Sequence, residues 1–142
     1  MTEWKQPVIK DGVPTEWSWV VKNIQNFKLG KNTDIGYGTY IQAKNGVTIE
    51  DNVKIGANCS LYSENTIDNT RGSILIKENA CIGANSVILP RKDGDLLVIG
   101  KNAKVGALSL IKHNIPSNSI FIQKRYSYYI FRTQEQDIYE RN

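Results

Sequence analysis

The sequence predicts an all-β fold: a single-stranded parallel β-helix with a triangular cross-section. Three observations carry this. Aliphatic residues recur every six positions: Ile49, Ile55, Leu61; then Ile76, Ile82, Ile88; then Ile99, Val105, Ile111, with a partial run at Ile35 and Ile41. Glycine follows the aliphatic residue at Gly36, Gly56, Gly83, Gly100 and Gly106, and asparagine stands three after it at Asn52, Asn58, Asn79, Asn85 and Asn102. Four after it comes a small or β-branched residue: Thr39, Val53, Cys59, Ala80, Ser86, Ala103 and Ser109. A helical period of 3.6 cannot hold this register, and plain β alternation would not repeat glycine and asparagine so regularly.

The physical reading is one short strand and one corner per hexad. The aliphatic residue points inward and stacks on its equivalent one coil away. The small residue fills a tight corner, and asparagine or glycine accepts the left-handed backbone that a corner needs. Three hexads make one coil. Ile49, Ile76 and Ile99 then form one stack. Ile35, Ile55, Ile82 and Val105 form a second, and Ile41, Leu61, Ile88 and Ile111 a third. The interruptions, residues 42–48, 62–75 and 89–98, all follow the third stack, so the loops leave the prism at one corner. Insertions gathered on one edge of a repeat protein usually form its binding face.

The elements run in order. Residues 1–34 hold all three tryptophans, Trp4, Trp17 and Trp19, without the hexad pattern, and are expected to cap the first coil. Residues 35–119 form the β-helix. Residues 120–142, with Tyr126, Tyr128, Tyr129 and Tyr139, read as a strand followed by a short helix or tail. All three segments make one domain, as 142 residues suggest. Packing of the aromatic tail on the prism or on a neighbouring subunit is expected over a membrane-surface role.

Composition narrows the function. A net charge of +4 suits a phosphorylated ligand as well as nucleic acid. No aromatic-basic recognition motif accompanies the charge, so nucleic-acid binding is not expected. Two cysteines, Cys59 and Cys81, without a CxxC, point to a reducing, cytoplasmic setting rather than a disulfide scaffold. No apolar run approaches the roughly 18 residues a membrane span needs, and no membrane insertion is expected. The stretch Met1–Lys10 has no apolar core of the signal-peptide kind.

The segments "LGKNTDIGYGTYI", "VTIEDNVKIGANCSLYS", "NTRGSILIKENACIGANSVILP" and "VIGKNAKVGALSLIKHNIPSNSI" resemble the hexapeptide-repeat acyltransferase superfamily over roughly residues 28–120. The opening "EWSWVVKNIQNFKLGKNTDIG" is similar to small acyltransferases of surface-polysaccharide biosynthesis. The resemblance implies a left-handed helix, a hand that the spacing alone does not set. It also implies a homotrimer, with acetyl-CoA held as co-substrate between adjacent prisms and no metal required. Positions matching its CoA-side segments are Asn85, Gly106, Ala107, Ser109 and Lys112. Coil geometry alone also accounts for Gly106, Ala107 and Ser109.

Members of the superfamily often carry a catalytic histidine where this chain has "YSENTID". The single histidine, His113, lies in the exit segment "LIKHNIPSNS" and reads as a solvated turn residue. Glu64, Asn65 and Asp68 therefore become the candidate catalytic residues. A carboxylate can serve a sugar hydroxyl as base only if burial raises its pKa. A deprotonated amine needs less help, which favours N-acetylation of a sugar or nucleotide-linked amino sugar. Two further departures are the charged insertion in "ILPRKDGDLLVIG" and the ending "FIQKRYSYY", where Lys124 and Arg125 are candidate phosphate contacts. The alternatives are a catalytically degenerate structural prism and a γ-type carbonic anhydrase, against which a single histidine argues.

Overall fold

The computed structural model describes residues 3–124 and Ile130. The chain forms a left-handed parallel β-helix of about four turns. β1 (Val20–Lys22) precedes the first full coil, which is β2 (Phe27–Leu29), β3 (Asp34–Ile35) and β4 (Tyr40–Gln42). The second coil is β5 (Val47–Ile49), β6 (Lys54–Ile55) and β7 (Ser60–Tyr62). β8 (Glu64–Asn65) leads into the third, formed by β9 (Thr70–Ile76), β10 (Cys81–Ile82) and β11 (Val87–Ile88). The fourth is β12 (Asp95–Ile99), β13 (Lys104–Val105) and β14 (Leu110–Ile111), and β15 (Ile120–Phe121) begins a fifth.

Three parallel sheets result, and the six-residue period sets their register. Face one stacks β2, β5, β9 and β12, face two stacks β3, β6, β10, β13 and β15, and face three stacks β1, β4, β7, β11 and β14. Ile49 pairs with Ile76 and Ile76 with Ile99 on face one. Face two aligns Ile35, Ile55, Ile82 and Val105, and face three Ile41, Leu61, Ile88 and Ile111. These side chains are buried and make the core a thin apolar column.

The column is longer at both ends than the hexads indicate. Val21 lies below Ile41 and Leu29 below Ile49, while Ile115 bridges to Ile99 and Phe121 pairs with Val105. Residues 20–29, expected within the cap, therefore already supply rungs. Their spacing differs because the 3-10 turn Ile24–Asn26 replaces a regular corner. The strand expected from residue 120 is present. The helix or tail expected beyond Lys124, with Arg125 and the four tail tyrosines, lies outside the described residues.

The corners behave as the pattern requires. Asn32, Asn52, Asn58, Asn79, Asn85, Asn102 and Asn118 all have φ between 55° and 64°. At the corner between faces two and three, a ladder of small polar side chains ties coil to coil. Thr39 Oγ1 donates to Gly56 O at 2.9 Å, Cys59 Sγ to Gly83 O at 3.2 Å and Ser86 Oγ to Gly106 O at 3.4 Å. Burial pushes the Cys59 thiol up from its ordinary pKa.

Much of what the period leaves as loop between faces three and one is strand. β9 and β12 run past the prism face and pair from Gly72–Asp95 to Ile76–Ile99. β8 folds back on β9 as an antiparallel pair, Glu64 opposite Arg71 and Asn65 opposite Thr70. The corner thus carries a short hairpin, not an irregular loop.

Candidate functional site

The hairpin is held in place by a small polar knot. Ser63 is fully buried; its hydroxyl donates to Gln42 Oε1 at 2.7 Å and accepts from the Asn45 amide at 2.9 Å. Its carbonyl accepts from Gly72 N and from Asn45 Nδ2, both at 2.9 Å. The insertion at 89–94 braces the other side, where Arg71 N donates to Asp93 Oδ1 at 2.8 Å and Gly94 N to Arg71 O at 2.9 Å. Gly94, between Asp93 and Asp95, turns the insertion with φ 78°.

On this support Glu64 is nearly enclosed, with 11% of its side chain exposed. One carboxylate oxygen lies 3.4 Å from Lys44 Nζ and the other 3.3 Å from Arg71 Nε. The carboxylate is therefore oriented from both sides. Asn65 Oδ1 instead accepts from Ile67 N at 3.0 Å, which makes it a local turn brace. Asp68 is fully exposed, and its Oδ1 accepts from Thr70 N at 3.0 Å. Hydrogen bonds from the Thr70 side chain and backbone hold its carboxyl below the usual range, with Lys112 adding attraction. That direction is the opposite of what a general base needs.

A cleft of about 420 Å³ opens beside Glu64 on the outer surface of face three. Tyr40, Gln42, Tyr62, Val87 and Leu89 form its floor and Glu64, Asn65 and Thr66 its wall. The Tyr40 and Tyr62 rings lie 5.9 Å apart at 54°. Sequence reasoning missed Tyr40, Gln42 and Tyr62. The available signal was their place on either side of inward Ile41 and Leu61, where alternation turns them outward. It also missed Lys44 and Arg71, which only tertiary pairing brings to Glu64.

The candidate cofactor residues divide into two groups. Asn85, Gly106, Ala107 and Ser109 lie at the corner before face three, whereas Lys112 follows β14, on the hairpin side. About 10–15 Å of strand separates the two corners. Ser109 is buried and its hydroxyl donates to Gly106 O at 2.6 Å, so that side chain belongs to the coil ladder. Asn85 N is taken by Ala57 O at 2.9 Å. Ala107 is exposed, and no backbone carbonyl among the described residues engages its amide or that of Ala84. Lys112 and His113 are exposed. No three His, Cys, Asp or Glu side chains converge in a metal-binding group among the described residues.

The hexapeptide-repeat model of succinyl-transferases matches residues 27–63, which are the first two coils. The bifunctional protein GlmU of Caldicellulosiruptor saccharolyticus is 36% identical over 102 residues, 71% of this chain and 20% of that protein. GlmU of Thermosipho melanesiensis is 37% identical over 98 residues, 68% of this chain and 19% of that protein. The chain belongs to the hexapeptide-repeat acyltransferase superfamily. It spans about a fifth of the length of these curated relatives.

Solved structures share the fold. AntD, an N-acyltransferase from Bacillus cereus in complex with dTDP and 3-hydroxybutyryl-CoA, superposes with a TM-score of 0.58. It is 19% identical, with 75% of this chain and 72% of that chain covered. A serine acetyltransferase in complex with cysteine gives 0.56 at 18% identity, covering 82% of this chain and 42% of that chain.

Proposed function

We propose that this chain transfers an acetyl group from acetyl-CoA to the amine of a sugar or nucleotide-linked amino sugar. The observation that carries the reading is Glu64, enclosed by Lys44 and Arg71 at the wall of an aromatic-floored cleft. AntD, which shares the fold, is an N-acyltransferase that binds dTDP and an acyl-CoA. The acceptor rests on Tyr40 and Tyr62, and Asn65 and Asp68 line its approach as polar contacts.

Glu64 orients the amine and receives the proton it loses. The free amine attacks the thioester carbonyl carbon, and a coil amide that no backbone carbonyl engages, such as that of Ala84, meets the developing oxyanion. Expulsion of the thiolate completes the amide, and the proton passes to sulfur. Gly106, Ala107 and the Asn85 corner offer backbone to the donor, with Lys112 as a phosphate contact. The assembly is a homotrimer, placing donor and acceptor corners of neighbouring chains together across the 10–15 Å that separates them within one chain. Cys59 and Cys81 are both free, which suits a reducing cytoplasm, and the setting is surface-polysaccharide synthesis.

Thiol release from acetyl-CoA with a panel of nucleotide-linked amino sugars tests the proposal. Turnover with at least one amine, and loss when its hydroxyl analogue replaces it, is expected. No release with any acceptor, with no thermal stabilisation by millimolar acetyl-CoA, overturns it. That outcome would favour a structural prism.

A further inference from the structure

A second, larger cavity of about 570 Å³, sharing no lining residue with the cleft, lies between the N-terminal segment and the first coil of the prism. All three tryptophans of the chain line it, with Glu3, Glu16 and Asp34 among the polar residues and Lys5 as the one cation in the lining. Trp19 is buried at 3% exposure, and Trp4 is half-buried. Trp17 at the rim is 44% exposed. Trp4 is fixed by its indole N–H, which donates to Thr33 O at 2.9 Å. The aromatic pair found among the described residues is Tyr40–Tyr62, so the indoles spend no face on one another.

The charge is as telling as the rings. The chain is basic overall, yet three carboxylates surround this cavity. Among the described residues none of the three forms an ion pair. Lys54, one rung above Asp34 on face two, is outside the lining. An indole face attracts a cation through its quadrupole, and a surrounding carboxylate adds Coulombic attraction. A hydrated inorganic ion has no use for the apolar floor, whereas an alkylated ammonium covers it with its methyl groups.

We propose that this cavity binds an organic cation of the alkylammonium class, independently of the acyl-transfer cleft. Because the three tryptophans are the whole set, intrinsic fluorescence reports directly on the site. Full-length protein is titrated with choline and, in parallel, with 3,3-dimethylbutan-1-ol, its uncharged isostere. The expected result is a saturable change with choline in the millimolar range and at least fivefold weaker binding of the isostere, a margin of about 1 kcal/mol. A Glu16→Gln, Asp34→Asn double variant, which touches exposed positions, is expected to weaken choline at least threefold while leaving the melting temperature unchanged. Equal binding of the isostere, no saturable change, or a response to neutral saccharides but not to choline overturns the proposal.

Discussion

At the scale of single residues, two carboxylates that look equivalent in sequence behave differently. Glu64 is enclosed between two cations, while Asp68 stands in solvent with its carboxyl held down by Thr70. Glu64→Gln is expected to lower kcat by ten- to a hundredfold, and Asp68→Asn by less than about threefold, in a thiol-release assay. Asp68 also bears on pH. Its folded-state pKa is depressed, so its contribution is present above the ordinary carboxylate value and is lost as pH falls through the lower folded value. Melting curves of Asp68→Asn and parent should therefore differ at neutral pH and converge below about pH 4. Leu108 offers a different test. It occupies a hexad position that asparagine holds elsewhere, with φ 59°. A non-glycine side chain there costs about 1–2 kcal/mol, and asparagine tolerates it better. Leu108→Asn is expected to raise stability by about 1 kcal/mol in urea unfolding.

At the scale of elements, the close stacking of coils decides which glycines are essential. A Cβ on Gly83 would run into the backbone of Gly106 and Ala107 in the next coil, whereas one on Gly106 would find only Phe121 O at 3.4 Å. Gly83→Ala should destabilise by about 3 kcal/mol or more, or prevent folding, and Gly106→Ala by less than about 1 kcal/mol. Denaturant midpoints check the contrast. The two glycines share a hexad position and differ because a full coil covers one and only the last partial strand covers the other. The hairpin of β8 and β9 was similarly illegible: its pairing joins Glu64 to Arg71 through a register that no six-residue period encodes.

At the scale of the molecule, the candidate donor and acceptor corners flank face three from opposite sides. A site assembled from two chains resolves that separation, so sedimentation should report a trimer. Millimolar acetyl-CoA should raise its melting temperature, by mass action on the folded form. Dissociation to monomers without loss of turnover would refute the shared site. No helix among the described residues is long and apolar enough to cross a membrane.

The repeat alone determined the coil, the identity of the three stacked ladders and the corner from which the chain departs. Each follows from steric demands repeated every six residues: an inward aliphatic, a corner residue that accepts positive φ, and a small side chain inside the bend. The extra rungs at Val21 and Leu29, the hairpin at Glu64, the tyrosine floor and the tryptophan cavity were decided only in three dimensions. Those features depend on residues far apart in the chain, such as Lys44 with Glu64 and Trp4 with Thr33. A local period constrains each residue against its equivalents one coil away, and it is silent about groups that meet outside the ladder.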